Sequence, residues 1–315
     1  MQAILENEVP LFNDVLKVLE QPLYQNILKI ISGKLKSGFV LFDSNSNKID
    51  EILNICQRLE IPKEKVKVID PTKPWSLKFQ PFTATCVDFA SDLQNTMNVL
   101  VKNNDEFFRG QQIQIVSAIT QLTILSFGTE ATINHVMQLF LEPRYLADTV
   151  EKLRKQLDTK ELTLKSDATV TTTKEILEYF ENEILNYKIE GEAEAGSCVL
   201  YPYNHKYAGR QVVENKKERY IIGIKTYFNE LLSSTLMSNV FNYDDEKDIF
   251  DTERFVKEGG ILLVNTATTE PEKQLPFFGQ LFLTHFQSVL QQLTKECIIA
   301  GIISTPIIFY PCKAF

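Results

Sequence analysis

The 315-residue sequence has no apolar run that approaches the about 18 residues of a transmembrane helix. Its amino terminus has no basic segment ahead of an apolar core, so we expect a cytoplasmic protein without a signal peptide. Twelve glycines and twelve prolines are too few for a fibrous or low-complexity chain. Five widely spaced cysteines and three histidines predict reduced thiols and no metal site.

Basic residues are also in the minority. The 33 lysines and arginines stand against 41 aspartates and glutamates, which gives a net charge of −8. This balance excludes a surface that is basic on every side, but it leaves room for one basic groove that binds DNA phosphates.

Two stretches are candidates for DNA or subunit contacts. One is Arg109 with Gln111, which lie beside two phenylalanines, and its alternative interpretation is an exposed helix start. The other is a basic cluster in a stretch without periodicity, for which a solvated loop is the alternative. Its members are Lys206, Arg210, Lys216, Lys217 and Arg219.

Residues 1–82 show the alternation of helix and strand that is typical of an α/β core. The apolar run 38–43 predicts a strand that is covered on both faces, 50–59 predicts an amphipathic helix, and 65–71 predicts a second strand. Because the connections are short, this is a βαβ unit with parallel strands. Ahead of it, apolar residues at helical intervals predict a helix over 11–31.

Residues 83–218 have the 3.6-residue period of helices almost throughout, and they predict a large all-α insertion domain. Thr172 and Glu175 fit a capping box that would start one helix, after a polar loop at 158–170. The stretch 190–215 has little periodicity and predicts a second irregular connection. Further helices are expected over 111–127, over 131–141 and from Pro143 onward.

Residues 219–315 return to strand and helix. The run 259–266 predicts a buried strand, and 272–294 predicts a helix with one apolar face. A last apolar run, 298–310, predicts one more strand. The whole pattern predicts an α/β fold, a parallel sheet with a large helical insertion between its strands.

Several short segments carry a resemblance to a known family. They are 66–71 with 79–82 (VKVIDP and FQPF), 106–109 (EFFR), 131–146, 259–267 (GGILLVNTA) and 278–280 (FGQ). In this order, over about residues 38–293, they resemble segments of the type IV secretion coupling proteins of conjugative DNA transfer.

The resemblance implies a RecA-like P-loop NTPase core that carries an all-α domain. It implies ATP and Mg²⁺ as cofactors, bound between the subunits of a homo-oligomeric ring. DNA, a relaxase and secretion-channel proteins would be the partners, in the cytoplasm or at the inner face of the membrane.

The residues that such an ATPase site requires are not in the sequence. No G-x-x-x-x-G-K-[ST] motif occurs, and the matching positions carry Glu20, Gln21 and Pro22, which provide neither a phosphate ligand nor a Mg²⁺ hydroxyl. Asp43 is expected to form a turn, since the residues after it depart from the family's pattern. The run 305–310 has the place of a Walker B strand, but Pro-Cys-Lys follows it where catalytic acids are expected. The resemblance therefore implies an incomplete RecA-like sheet that is truncated near this strand.

We therefore expect no catalytic residue, no cofactor and no ATP hydrolysis by this chain alone. Three hypotheses about its function remain. The first is a truncated or degenerate coupling-protein-like domain related to conjugative DNA transfer. The second is a soluble protein-interaction module that uses the helical insertion on an α/β scaffold. The third is an active DNA-translocating ATPase subunit, which would need a nucleotide site of another kind.

Overall fold

A computed structural model describes residues 37–44, 48–58, 60–82, 89–100, 105–159, 167–190, 196–242, 248–267, 274–293, 298–302 and 305–311. The helix expected over 11–31, with Glu20, Gln21 and Pro22, lies outside these residues. Within them, no helix combines the length and the apolar character needed to cross a membrane.

Along the chain the strands and helices are β1 (Ser37–Asp43), α1 (Lys48–Arg58), β2 (Val66–Ile69), α2 (Phe89–Leu100), α3 (Glu106–Phe127), α4 (Ile133–Leu141), α5 (Pro143–Asp158), α6 (Asp167–Tyr179), β3 (Leu185–Tyr187), β4 (Ile189–Glu190), β5 (Ser197–Cys198), β6 (Val213–Asn215), α7 (Glu218–Leu232), α8 (Thr235–Phe241), α9 (Thr252–Glu258), β7 (Gly260–Asn265), α10 (Gln274–Leu293), β8 (Ile298–Ile302) and β9 (Thr305–Pro311). A π-helical turn, Phe180–Ile184, follows α6.

The chain forms two compact units. Residues 1–79 and 242–315 make up the first, which we call the sheet unit, and residues 80–241 make up the second, the helical unit. Residues 219–241, which we expected in the returning part of the α/β core, belong to the helical unit. The physical reason is packing, because Phe228 of α7 is fully buried and its ring lies edge-on to Phe140 of α4 at 5.2 Å.

The sheet unit contains one five-stranded sheet with the strand order β2-β7-β1-β9-β8. β7 pairs in parallel with both β1 and β2, so the α/β class and the parallel arrangement of these three strands are confirmed. The apolar run at the centre of β1 explains its place, because Phe39, Val40, Leu41 and Phe42 are all buried and a strand inside a parallel sheet is covered on both faces.

The last two strands correct the expectation of a single final strand. β8 and β9 are antiparallel to each other, and β9 is antiparallel to β1, so the sheet as a whole is mixed. The short connection explains the antiparallel pairing. Ile302, the last residue of β8, pairs with Thr305, the first residue of β9, and so short a link can join only antiparallel neighbours. The run 305–310 therefore lacks the parallel orientation that we expected of a Walker B strand.

Helices cover both faces of the parallel strands. On one face, Ile49 and Ile52 of α1 pack with Phe39 and Leu41. On the other face, Phe282 of α10 contacts Phe42, with ring centroids 6.1 Å apart. Successive residues of a strand point to opposite faces, so β1 anchors both helices.

Glycine at position 279 lets α10 approach the end of β7 closely. A Cβ atom at this position would lie 2.9 Å from the Cβ of Thr266, a separation that real side chains do not adopt. The strand that precedes this contact is buried from Ile261 to Asn265, so the contact fixes α10 against the sheet.

The chain leaves the sheet unit and returns to it at neighbouring points. The Lys78 N–H donates to the carbonyl of Asp248 at 2.8 Å, and the Phe250 N–H donates to the carbonyl of Lys78 at 2.7 Å. Because the two ends are adjacent, an insertion as long as 80–241 is compatible with a continuous sheet core.

The helical unit consists of α2 to α8 and two short antiparallel pairs, β3 with β6 and β4 with β5. These pairs correct the all-α expectation and the irregular reading of 190–215. The loop expected at 158–170 also ends earlier, because α6 begins at Asp167. Thr172 and Glu175 are exposed inside this helix, so their capping-box spacing does not mark a helix start.

Candidate functional site

Two places in the structure could carry function, and the first is the carboxyl edge of the three parallel strands. Asp43 ends β1, Asp70 directly follows β2 and Asn265 ends β7, and all three side chains are buried. Ligands of open α/β sheets bind at this edge, so its chemistry decides whether a nucleotide fits.

Asp43 uses its carboxylate to cap α1. Its Oδ2 accepts hydrogen bonds from the backbone N–H groups of Lys48 at 2.8 Å and Ile49 at 3.0 Å. A carboxylate satisfies the free N–H groups of a helix start in this way and also complements the helix dipole. The N–H groups that a phosphate would need at this strand end are therefore bound by a carboxylate.

Asp70 and Asn265 join the ends of β2 and β7. Asp70 Oδ1 accepts from the Asn265 Nδ2 at 2.8 Å, from the Thr72 N–H at 2.9 Å and from the Thr72 hydroxyl at 2.7 Å. Asn265 Oδ1 in turn accepts from the Ala267 N–H at 3.0 Å. These bonds give the edge a structural role, and the negative charge of two carboxylates opposes the binding of phosphate.

The second place is an aromatic and cationic surface of the helical unit, at the first turns of α3 and α7. We call it the Phe107 surface and define it by Phe107, Phe108, Arg109, Arg219 and Ile222. The side chains of Phe107 and Ile222 are 61% and 62% exposed, which is a large fraction for apolar groups of this size.

A ring cluster builds the Phe107 surface. The Tyr220 ring is buried and lies edge-on to Phe108 at 4.9 Å and to Phe107 at 5.8 Å. The Arg219 guanidinium stacks over the Tyr220 ring at 4.6 Å from its centroid. The Gln112 Nε2 donates to the Tyr220 carbonyl at 2.8 Å, which ties α3 to α7.

Local sequence explains why Phe107 stands at a helix start. Asp105 is the N-cap of α3, and its Oδ1 accepts from the N–H groups of Phe107 at 2.9 Å and Phe108 at 3.2 Å. The two phenylalanines thus occupy the first turn, where the helix has not yet entered the core of the unit.

The structure brings together only some of the residues that the sequence singled out as contacts. Arg109 is exposed and Gln111 half-buried on the first turns of α3, and the ring cluster connects these turns to Arg219. The neighbouring basic residues Lys216 and Lys217 have partners of their own. The Lys216 Nζ donates to the Asn182 carbonyl at 2.7 Å, and the Lys217 Nζ lies 3.7 Å from Glu183 and over the Tyr179 ring.

Arg210 belongs to a charge network that sequence patterns did not reveal. It forms a bidentate ion pair with Asp148 of α5. Asp148 also pairs with Arg144, which is only 4% exposed. The Arg144 Nη2 lies 2.8 Å from Glu151 Oε1, which also accepts from the Tyr187 hydroxyl at 2.7 Å. The spacing of Arg144 and Asp148 on one helix is a local signal, but their partners are distant in sequence.

The network shifts several proton affinities. Burial and the hydrogen bond to Glu151 raise the pKa of the Tyr187 hydroxyl. Burial alone would raise the pKa of the nearby Glu142 carboxyl, but hydrogen bonds from Lys206 and Tyr207 outweigh burial and lower it. These groups therefore keep their ordinary charges at neutral pH and hold Tyr187 and the stretch 206–210 against α5 and the residue before it.

The fold and the two surfaces define an α/β protein in which a helical unit is inserted between β2 and β7, two parallel strands that pair with each other. Comparison with protein-family models, with curated proteins and with solved structures gives no match. Among the residues that the structure describes, no group of three or more His, Cys, Asp and Glu side chains could hold a metal ion.

Proposed function

We propose that the chain is a coupling-protein-like domain of conjugative DNA transfer by type IV secretion, without ATP hydrolysis of its own. Its role would be to bind a partner protein through the Phe107 surface. The ordered resemblance over about residues 38–293 supports the family, and so does an α/β sheet that is interrupted by a mainly helical unit.

The carboxyl edge of the sheet supports the absence of hydrolysis. A nucleotide phosphate needs free N–H donors and a nearby cation, whereas Asp43 and Asp70 supply negative charge and already bind the local N–H groups. The carboxylates at these two strand ends would thus repel the phosphates of ATP, the nucleotide that the resemblance implies.

The observation that carries the partner-binding role is the exposure of Phe107, whose ring meets the same Tyr220 ring as Arg219 and lies two residues before the exposed Arg109. Aromatic and arginine side chains supply most of the binding energy of protein interfaces, and charged rims are usually less important. Exposed Ile222, one turn from Arg219 on α7, favours a protein over a nucleic acid, because bases stack on rings and not on branched aliphatic groups.

The absence of a nucleotide site is tested by calorimetry with a non-hydrolysable ATP analogue and Mg²⁺, with and without single-stranded DNA. We expect no binding up to millimolar analogue, because the phosphates would lack a cradle. Micromolar binding would contradict the proposal and would favour an active ATPase.

The partner surface is tested with the double variant Phe107→Ala, Arg219→Ala. We expect its affinity for the relaxase of the same conjugative element to fall by about tenfold or more, as measured by fluorescence anisotropy. Tyr203→Ala removes an aromatic side chain that is 95% exposed elsewhere in the helical unit, and it should leave the affinity unchanged.

A single-stranded oligonucleotide serves as the second probe in the same assay. If it binds and the relaxase does not, the Phe107 surface is a DNA contact and the protein-partner proposal fails. Equal affinities of the wild type and the double variant for the relaxase would place the contact on another surface.

A further inference from the structure

The sheet unit contains a pocket that neither the fold nor the proposed function explains. It has a volume of about 810 Å³ and lies where α1 ends and β2 begins. Its lining is mixed: Leu53, Cys56, Ile61 and Val66 form an apolar part with the Trp75 ring on one side, and Gln57, Glu60, Lys63 and Glu64 are polar or charged. This size and composition are typical of sites that bind small organic molecules.

The backbone at the pocket rim has an unusual conformation. Glu60 has a φ of 51°, and it is the one non-glycine residue with positive φ among the residues that the structure describes. The Glu60 N–H donates to Gln57 at 3.1 Å and the Ile61 N–H donates to Cys56 at 3.0 Å, so α1 ends in a Schellman motif. Glycine is usual at this position, whereas here a carboxylate is presented to the pocket.

Negative charge predominates at the rim. Glu60 and Glu64 line the pocket together with Lys63, and all three are exposed. None of them takes part in the ion pairs found within the described part of the chain. Trp75 is 60% exposed, and the face of an indole ring attracts cations more strongly than any other side-chain ring.

The outer edge of β2 is not open to an added peptide strand. The Leu77 N–H donates to the Val68 carbonyl at 3.2 Å, and the Ser76 hydroxyl accepts from the Asp70 N–H at 2.9 Å. Because the segment 76–77 already occupies this edge, backbone pairing with a partner chain is blocked there. Strand addition at this part of the β2 edge is therefore not a way in which a partner would approach the pocket.

We propose that the pocket binds a small organic cation. The apolar body of the ligand would lie against Leu53, Ile61 and Trp75, and its ammonium group would lie between the Trp75 ring and the carboxylates of Glu60 and Glu64. This inference is independent of the proposed function, because it uses only contacts within the sheet unit.

The ligand class is tested with three probes that share one apolar body: phenylbutylamine, phenylbutanol and phenylbutyrate. Trp75 is the only tryptophan of the chain, so its fluorescence reports directly on the pocket. We expect saturable changes with the amine and an affinity about fivefold higher than that of the neutral alcohol, with the carboxylate weakest. Equal affinities, a preference for the carboxylate, or no saturable change with any probe up to millimolar concentrations would overturn the proposal.

Variants locate the cation. The double variant Glu60→Gln, Glu64→Gln should lose most of the preference for the amine, keeping only the smaller part that the Trp75 ring supplies, with the affinity for the alcohol unchanged. Glu258→Gln removes an exposed carboxylate of the same unit that does not line the pocket, and it should retain the amine preference. If both variants lose the preference equally, general attraction to an acidic protein explains the binding and the site is refuted.

Discussion

The variant Arg144→Met is expected to destabilise the helical unit by about 3 kcal/mol, the lower end of the range for breaking a buried ion pair. The Arg144 guanidinium is almost fully buried and binds two carboxylates of α5, Asp148 and Glu151. It also lies 5.8 Å from the centroid of the Tyr187 ring, so it joins α5 to the segment that contains β3. Methionine keeps most of the apolar stem and removes the charge together with its hydrogen bonds.

The expected loss lies at the lower end because water reaches the two acidic partners. The side chains of Asp148 and Glu151 are 26% and 50% exposed, and Asp148 keeps its pair with Arg210. Hydrogen exchange of the α5 amides measures the effect within the helical unit, where protection should decrease in Arg144→Met.

Arg154→Met is the matched control for this prediction. Arg154 lies on the same helix and pairs with Glu181, but both side chains are partly exposed. Exposed pairs contribute at most about 1 kcal/mol, so this variant should remain close to the wild type. Similar losses in both variants would show that burial of Arg144 does not determine the strength of its pairs.

Some elements could be predicted because their signals are local. The run 38–43 predicted a strand that is covered on both faces, and the helix predicted over 272–294 with one apolar face is α10, whose Phe278, Phe282 and Phe286 are buried at intervals of four residues. Pro143 at the first position of α5 is likewise a local helix signal.

Other features depend on contacts between distant residues. The position of β7 between β1 and β2 follows from tertiary packing, and no interval along the chain encodes it. The same applies to the packing of Arg219 over the Tyr220 ring and of Phe108 edge-on to it, which joins two candidate stretches. The capping-box spacing at Thr172 was misleading, because the helix begins five residues earlier, at Asp167, and Thr172 lies in its interior.

The partners of the basic cluster show the same limit. Arg210 was a candidate contact because it lies in a stretch with few helical signals and several cations. Its carboxylate partner Asp148 is on α5, in a region that periodicity described only as helix. Charge counts along a sequence cannot distinguish a solvated cation from one held by a partner, because the pairing is decided by the fold.

The variant Phe282→Ala is expected to destabilise the sheet unit by about 3–5 kcal/mol, the range for removing a buried phenylalanine side chain. The Phe282 ring is fully buried at the centre of an aromatic cluster. Its centroid lies within about 6 Å of the rings of Phe79 (4.9 Å), Phe278 (5.9 Å), Phe250 (6.0 Å), Phe42 (6.1 Å) and Phe286 (6.1 Å).

The consequence reaches beyond α10, because Phe79 and Phe250 lie at the points where the chain leaves the sheet unit and returns to it. A cavity at Phe282 should loosen both segments together with α10.

Urea unfolding followed by Trp75 fluorescence measures the loss of stability in the sheet unit. Phe282→Leu fills most of the space and should lose less, and Phe107→Ala, at an exposed ring, should change stability by no more than about 0.5 kcal/mol. If Phe282→Ala lowers the free energy of unfolding by less than about 1 kcal/mol, the cluster relaxes around the cavity. The Phe282 ring would then not be the contact that holds the exit and return segments to the sheet.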